Sequence, residues 1–304
     1  MLATYTMQPD IRSATCQQPD GGPAAPLGRL RACLEQEAVG GACQGLKLRS
    51  WGRGQPLVLV HGGVGSWTHW IRNIQSLAGH FRVHAIDLPG FGDSADVPAA
   101  MAPDEYLDWV AQVLHGVAAD GRKVHVAGFS FGAVVAAAVC ARLGSAVEAL
   151  TLLGPGGFGE PVGRRIPVQQ RPRDPSLTAE IRQVLAFNLG QWMLSAAPHP
   201  DDPVVELHAR NVERSRYDSR EIGWRATLLA DLSRISAPVQ VAWGDGDRLA
   251  HPSVDDRLAL CHAARPDLQL GVVRDGGHWV QFEQPAAVNR LLLQFHLSPP
   301  SIRT

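Results

Sequence analysis

Ser130, Asp247 and His278 are the side chains whose type and setting best suit them to do chemistry. A serine hydroxyl is a poor nucleophile at neutral pH. It becomes a useful one when an imidazole takes its proton and a carboxylate holds that imidazole in the right tautomer. Ser130 stands in Gly128-Phe129-Ser130-Phe131-Gly132, between the apolar run Val124–Ala127 and a small-residue helical run that begins at Ala133. A chain passing straight from strand to helix turns sharply and strains its corner residue. Glycines on either side leave room for that turn, so the serine stands at the tip. The new helix aims its unpaired N–H groups at whatever the serine attacks. The plainer alternative is a glycine-bordered turn with a solvent-facing serine; the strand before it and the helix after it argue otherwise.

The partners come later in the chain. Trp243-Gly244-Asp245-Gly246-Asp247 sets two acids just beyond an apolar run. Asp247 is preferred, because the residues between it and Gly244 give the reach such a loop needs. Asp245 suits a turn acid bonded to nearby backbone. Asp275-Gly276-Gly277-His278-Trp279 puts a histidine on a glycine-flexed loop after the next apolar run. His61-Gly62-Gly63-Val64-Gly65 follows Pro56–Val60 and could bring free N–H groups to a developing oxyanion. The donors expected are Phe131 and Gly63 (or Val64). A phosphate loop is the rival, but the Lys-Ser/Thr that it needs is absent. His61 reads as structural, and His69, His84, His125, His199 and His262 show no partner pattern.

These loops need a frame. Pro56–Val60, Phe81–Asp87, Val124–Phe129, Ala149–Leu153, Pro238–Trp243 and Leu268–Val273 read as strands, several of them continuously apolar as buried parallel strands are. Leu46–Trp51 alternates as an edge strand does. Asp104–Ala118 has helical spacing, and Leu27–Ala38 could make a short amphipathic helix. From Gly154 the composition turns to Gly, Pro and Arg, and residues 176–233 are helical in pattern. The expectation is an α/β protein: a mostly parallel sheet with helices on both faces, interrupted by a helical cap. Its parts would be a flexible tail (1–26), core (27–154), cap (155–235), core (236–297) and a second tail (298–304). Functional groups gather at the carboxyl edge of such a sheet, where all three loops fall.

The chain has 304 residues, 45% hydrophobic and 19% charged, which is enough for a sizeable core. A formal net charge of −1 makes no case for nucleic acid or an anionic membrane surface. No apolar run is long enough to span a bilayer. Met1–Pro9 lacks the basic and apolar regions of a secretory signal. Five cysteines without CxxC spacing suggest reduced thiols, a cytoplasmic location and no zinc site. No metal or organic cofactor is called for. The partners expected are a small-molecule substrate and, at most, further copies of the chain.

From about Leu46 to Leu297 these segments resemble the α/β-hydrolase superfamily. The likeness rests on His61-Gly62-Gly63, Asp87-Leu88-Pro89-Gly90-Phe91-Gly92, the Gly128–Gly132 elbow, Trp243–Asp247 and Gly277-His278-Trp279. It implies the α/β-hydrolase fold and the order nucleophile, acid, base. Serine at position 130 sets the chain apart from branches with aspartate there. Gly277–Glu283, Trp70–Ile74 and Glu206–Asn211 look like the meta-cleavage C–C hydrolases, and that likeness makes Arg210 the candidate for gripping a substrate carboxylate. Phe129 and Phe131 beside the nucleophile, and Gly63-Val64-Gly65 without proline, depart from that branch and favour an ester or lactone. Trp67, Phe129, Phe131, Trp192 and Trp279 could line an apolar pocket. Perhydrolysis, acyl transfer, a lyase reaction or a non-catalytic receptor would be alternatives on the same scaffold.

Overall fold

The computed structural model describes residues 26–118 and 121–299. The tail expected over 1–26 lies outside the described residues except for Pro26, and of that expected over 298–304 only 298 and 299 are described. The strands are β1 (Val39–Cys43), β2 (Leu46–Trp51), β3 (Pro56–Val60), β4 (Arg82–Ile86), β5 (Val124–Phe129), β6 (Val147–Leu153), β7 (Val239–Gly244) and β8 (Gln269–Val273). They form one sheet in the order β1-β2-β4-β3-β5-β6-β7-β8. The pairs β1/β2 and β2/β4 are antiparallel, and every later pair is parallel.

Helices α1 (Leu27–Glu37), α2 (Ile74–Ala78), α3 (Pro103–Val117) and α4 (Phe131–Leu143) accompany the first six strands. Between β6 and β7 lie α5 (Thr178–Trp192), α6 (Pro203–Glu213), α7 (Arg220–Gly223) and α8 (Leu228–Arg234). The chain closes with α9 (Val254–Ala264), α10 (Val280–Glu283) and α11 (Pro285–Leu297).

β3 and β5 are buried at every residue, as central parallel strands covered on both faces must be. α3 buries one stripe, including Tyr106, Val110 and Leu114, and Glu105 reaches back to accept from the N–H of Ala102 at 2.7 Å. α4 is apolar all round and buried from Phe131 to Cys140, which suits a helix beside the sheet centre and under other helices. One face of the sheet packs on α3, α4, α8 and α9. The other packs on α1, α2, α10 and α11, together with parts of α5 and α6.

Two expectations are corrected. β2 is not the edge strand: β1 pairs outside it, joined by a turn at Gln44-Gly45. Val39-Gly-Gly-Ala-Cys43 has too little β-branched or aromatic character to announce itself. Cys33 is disulfide-bonded, whereas Cys43, Cys140 and Cys261 are free. The cysteines therefore do not argue for a reducing compartment. No helix among the described residues is long and apolar enough to cross a membrane.

Candidate active site

Ser130 occupies the corner between β5 and α4 with φ +54° and ψ −116°, a region that L-residues seldom adopt. Its N–H donates to Leu153 O at 2.9 Å, which pins the corner to the neighbouring strand. Close packing explains the flanking glycines. A Cβ on Gly128 would lie 2.6 Å from Gly132 O and 2.7 Å from Ala133 Cα, and one on Gly132 would overlap the carbonyl of His61. Only glycine lets strand, helix and the loop after β3 meet here.

β7 and β8 end side by side, Gly244 opposite Val273, so their following loops start together. His278 Nδ1 lies 2.7 Å from Asp247 Oδ2, and its Nε2 lies 2.8 Å from Ser130 Oγ. With the carboxylate on one nitrogen, the neutral ring carries its proton on Nδ1 and offers Nε2 as acceptor to the serine hydroxyl. His278 is 4% exposed and Asp247 5%. Asp247 also accepts from the N–H of Leu249 at 2.8 Å through its other oxygen. Asp245 instead accepts from the N–H of Gly276 at 3.3 Å. Gly154, just past β6, has φ +50°, and a Cβ there would sit 3.1 Å from the His278 ring and 3.2 Å from Asp247 Oδ2.

The loop after β3 lies against this corner. A Cβ on Gly62 would come 3.2 Å from Ser130 Cβ. Val64 has φ +50°, an unfavourable setting for a β-branched residue. His61 Nδ1 donates to Gly62 O at 2.7 Å, and its Nε2 accepts from the N–H of Leu88 at 2.9 Å. Burial lowers its pKa, so the ring is a neutral brace between two loops. Asp87 ties the same region together, accepting from Arg49 at 2.9 Å and from the N–H of Trp67 at 2.8 Å.

His69, which showed no partner in the sequence, is part of this brace. Its Nδ1 accepts from the N–H of Gly62 at 3.2 Å, and its carbonyl accepts from Trp279 Nε1 at 2.8 Å. Burial holds its pKa well below the usual histidine range. Glu283 was also missed. Its carboxylate accepts from the N–H of Gly277 at 2.7 Å and from the N–H and hydroxyl of Ser195 at 2.8 and 2.7 Å, fastening the histidine loop to the end of α5. Neither contact follows from a local spacing rule, because each depends on how a nearby loop folds back, over seven residues for His69 on Gly62 and six for Glu283 on Gly277.

The expected pocket residues fare unevenly. Phe129 is buried with its ring 5.0 Å from that of His278. Trp279 is fully buried and stacks on Phe282 at 4.3 Å, so it supports the loop from behind. Trp192 is 37% exposed at the end of α5. Trp67 and Arg210 line a charged cavity of about 400 Å³ whose walls include Arg31, Glu35, Asp93 and Glu206, and neither Ser130 nor His278. Arg210 is not drawn to the Ser130–His278–Asp247 cluster: it is exposed and pairs with Glu206 at 2.8 Å, one helical turn away on α6. That pair satisfies its guanidinium locally. No group of three or more His, Cys, Asp or Glu suited to a metal occurs among the described residues.

A model of the alpha/beta hydrolase family matches residues 57–291. Over 260 residues the chain is 29% identical to the dihydrolipoyllysine-residue acetyltransferase component of the acetoin cleaving system of Pseudomonas putida, covering 80% of this chain and 63% of that protein. It thus spans less than two thirds of that relative. It is 28% identical over 271 residues to 2-hydroxy-6-oxo-6-phenylhexa-2,4-dienoate hydrolase of Burkholderia cepacia, covering 82% and 90% of the two chains. Its structure is similar to that of a carboxylesterase from Bacillus subtilis, with a TM-score of 0.67, 20% identity and coverage of 90% and 99%. At that identity the likeness speaks of the fold.

Proposed function

Because the chain belongs to the alpha/beta hydrolase family, we propose that it is a serine hydrolase cleaving a small, partly apolar carboxylic ester through an acyl-enzyme. The observation that carries this reading is the relay from Ser130 Oγ through His278 to Asp247, closed by contacts of 2.8 and 2.7 Å. As Ser130 Oγ bonds to the carbonyl carbon, its proton passes to His278 Nε2 and the carbonyl electrons move onto oxygen. The N–H groups of Phe131 and of Gly63 or Val64 receive that oxyanion, each such donor being worth roughly 3–4 kcal/mol of barrier. Collapse expels the alcohol, which takes the proton from His278. A water then repeats the sequence on the acyl group and frees Ser130. Asp247 stays ionised, holding the tautomer and stabilising the transient imidazolium. The insertion between β6 and β7 serves as a cap over the site, and the scheme uses no metal or organic cofactor. A series of p-nitrophenyl esters of rising chain length tests this. Ser130→Ala should lower turnover by a factor on the order of 10⁶; turnover surviving in that variant overturns the assignment.

C–C hydrolysis of a vinylogous diketone is the second reading, and the relative from Burkholderia cepacia favours it. It would use the same three residues. The outward, ion-paired setting of Arg210 counts against a grip on a substrate carboxylate and supports putting ester hydrolysis first. A coloured dienoate ring-fission compound separates the two: faster turnover of it than of the best ester reverses their order.

A further inference from the structure

The mechanism above leaves one hydroxyl unused beside the oxyanion loop. Ser219 lies in the turn before α7, and its side chain makes no capping hydrogen bond to that helix. A Cβ built on Gly63 would lie 2.6 Å from Ser219 Oγ, 3.2 Å from Ser219 Cβ and 3.7 Å from Phe131 Cβ. The serine thus fills the space that a side chain at position 63 would take, against a residue whose backbone is assigned to the oxyanion. The turn is fixed there. The N–H of Gly223 donates to Ser219 O at 2.8 Å, and the N–H of Gly157 donates to Gly223 O at 2.9 Å. Neighbouring charge is occupied elsewhere, since Arg220 Nε donates to Asp218 at 2.8 Å. Ser219 is half-buried, open enough to meet a substrate oxygen.

We propose that Ser219 is a third oxyanion donor, supplied by the insertion rather than by the sheet. It donates a hydrogen bond and keeps its proton. The proton from Ser130 still goes to His278, and the new bond is still that from Ser130 Oγ to the carbonyl carbon. A hydroxyl can rotate toward a charge that exists only during reaction, so its contribution falls on the transition state and not on substrate binding. Gly63 follows as a requirement, because any side chain there would displace the hydroxyl.

The inference rests on Ser130 as nucleophile, and its test separates the two. Ser219→Ala, Ser219→Thr and Ser130→Ala are compared with wild type on p-nitrophenyl butyrate, with phenylboronic acid as a tetrahedral adduct of the nucleophile read by calorimetry. Ser219→Ala should lower kcat about 100-fold with KM within twofold, and weaken phenylboronate by a similar factor. Ser219→Thr, which keeps the hydroxyl, should recover most of both, and all three variants should melt within a few degrees of wild type. A kcat within threefold of wild type in Ser219→Ala, or a raised KM with kcat intact, overturns the role of Ser219 while leaving Ser130 in place. Turnover that survives Ser130→Ala, or a wild type that neither turns over ester nor binds phenylboronate, overturns both.

Discussion

Replacing Gly154 with alanine should damage catalysis more than it damages the fold. Gly154 has φ +50°, and its missing Cβ would press on the His278 ring at 3.1 Å and on Asp247 Oδ2 at 3.2 Å. The left-handed backbone costs alanine roughly 1–2 kcal/mol. The contacts are tighter than van der Waals packing allows, so ring and carboxylate must each yield by a few tenths of an ångström. Misplacing a reacting group by about 1 Å can cost about 10²-fold, which scales to a loss of roughly tenfold in kcat here.

Gly45 provides the control. It has φ +84°, and its Cβ would meet Ala95 Cβ at a comparable 3.2 Å, but it sits in the β1–β2 turn with none of Ser130, Asp247 or His278 against it. Gly154→Ala and Gly45→Ala should lose similar stability in urea denaturation, while only the first loses turnover of p-nitrophenyl butyrate at saturating ester. Equal kcat values in the two variants would refute the claim that the width of the site at Gly154 sets the His278–Asp247 geometry.

Two further outcomes follow from the same contacts. Glu283→Ala removes three acceptor contacts between the histidine loop and Ser195, so kcat should fall roughly 5–20-fold for a stability loss of about 1–3 kcal/mol; partial recovery in Glu283→Gln is expected, and unchanged kcat would make it a purely structural tie. Acid should destabilise the protein well before most carboxylates titrate. Burial holds His125 at about 4, His208 at about 4 and His84 at about 3. The unfolded chain takes up protons below its ordinary value near 6.5 while the folded chain resists until near 4. Stability is therefore full above about pH 6.5 and declines as pH falls toward 4, by about 3 kcal/mol for a group shifted as His125 is. Urea midpoints that stay level between pH 6.5 and 4.5 would contradict this.

Much of this arrangement can be read in the sequence where one local rule acts alone. The continuous apolar run Pro56–Val60 and the Gly-x-Ser-x-Gly corner each force their own geometry, so β3, β5 and α4 are legible before any coordinates. Asp247 and Asp245 are separable by loop reach, and the structure sets the first on His278 and the second on backbone. Legibility ends where a contact depends on how a loop folds back or on which side of a helix faces the core. His69 meets Gly62 only because the turn after β3 folds back, and Arg210 faces Glu206 because both fall on the outer side of α6. A family likeness for Glu206–Asn211 could not reveal that orientation. Ser219 is the extreme case, with nothing in its neighbourhood to mark it among the serines of the chain.

Strain shows how the fold and the chemistry are joined. Among the described residues the non-glycine positions with positive φ are Gln44, Val64, Ser130 and Asp275. Gln44 belongs to an ordinary hairpin turn, but the other three follow β3, β5 and β8 at the edge of the sheet where Ser130 and His278 meet. Each such residue costs on the order of 1–3 kcal/mol and persists only where its surroundings over-determine it. Together they cost about 3–9 kcal/mol, a sizeable fraction of the net stability of a typical domain, about 5–15 kcal/mol. β3 and β5 can hold such corners because they are buried along their full length and paired on both sides. β8, an edge strand with mostly exposed residues, lacks that support. Its loop is held instead by Glu283, by Gln284 on the carbonyl of Asp275 at 2.9 Å, and by Met193 on the N–H of Trp279 at 2.6 Å. Two of the three corners are therefore secured by the centre of the sheet. The histidine loop depends on side chains and on the insertion, so it is the loop whose position a changed insertion would alter first.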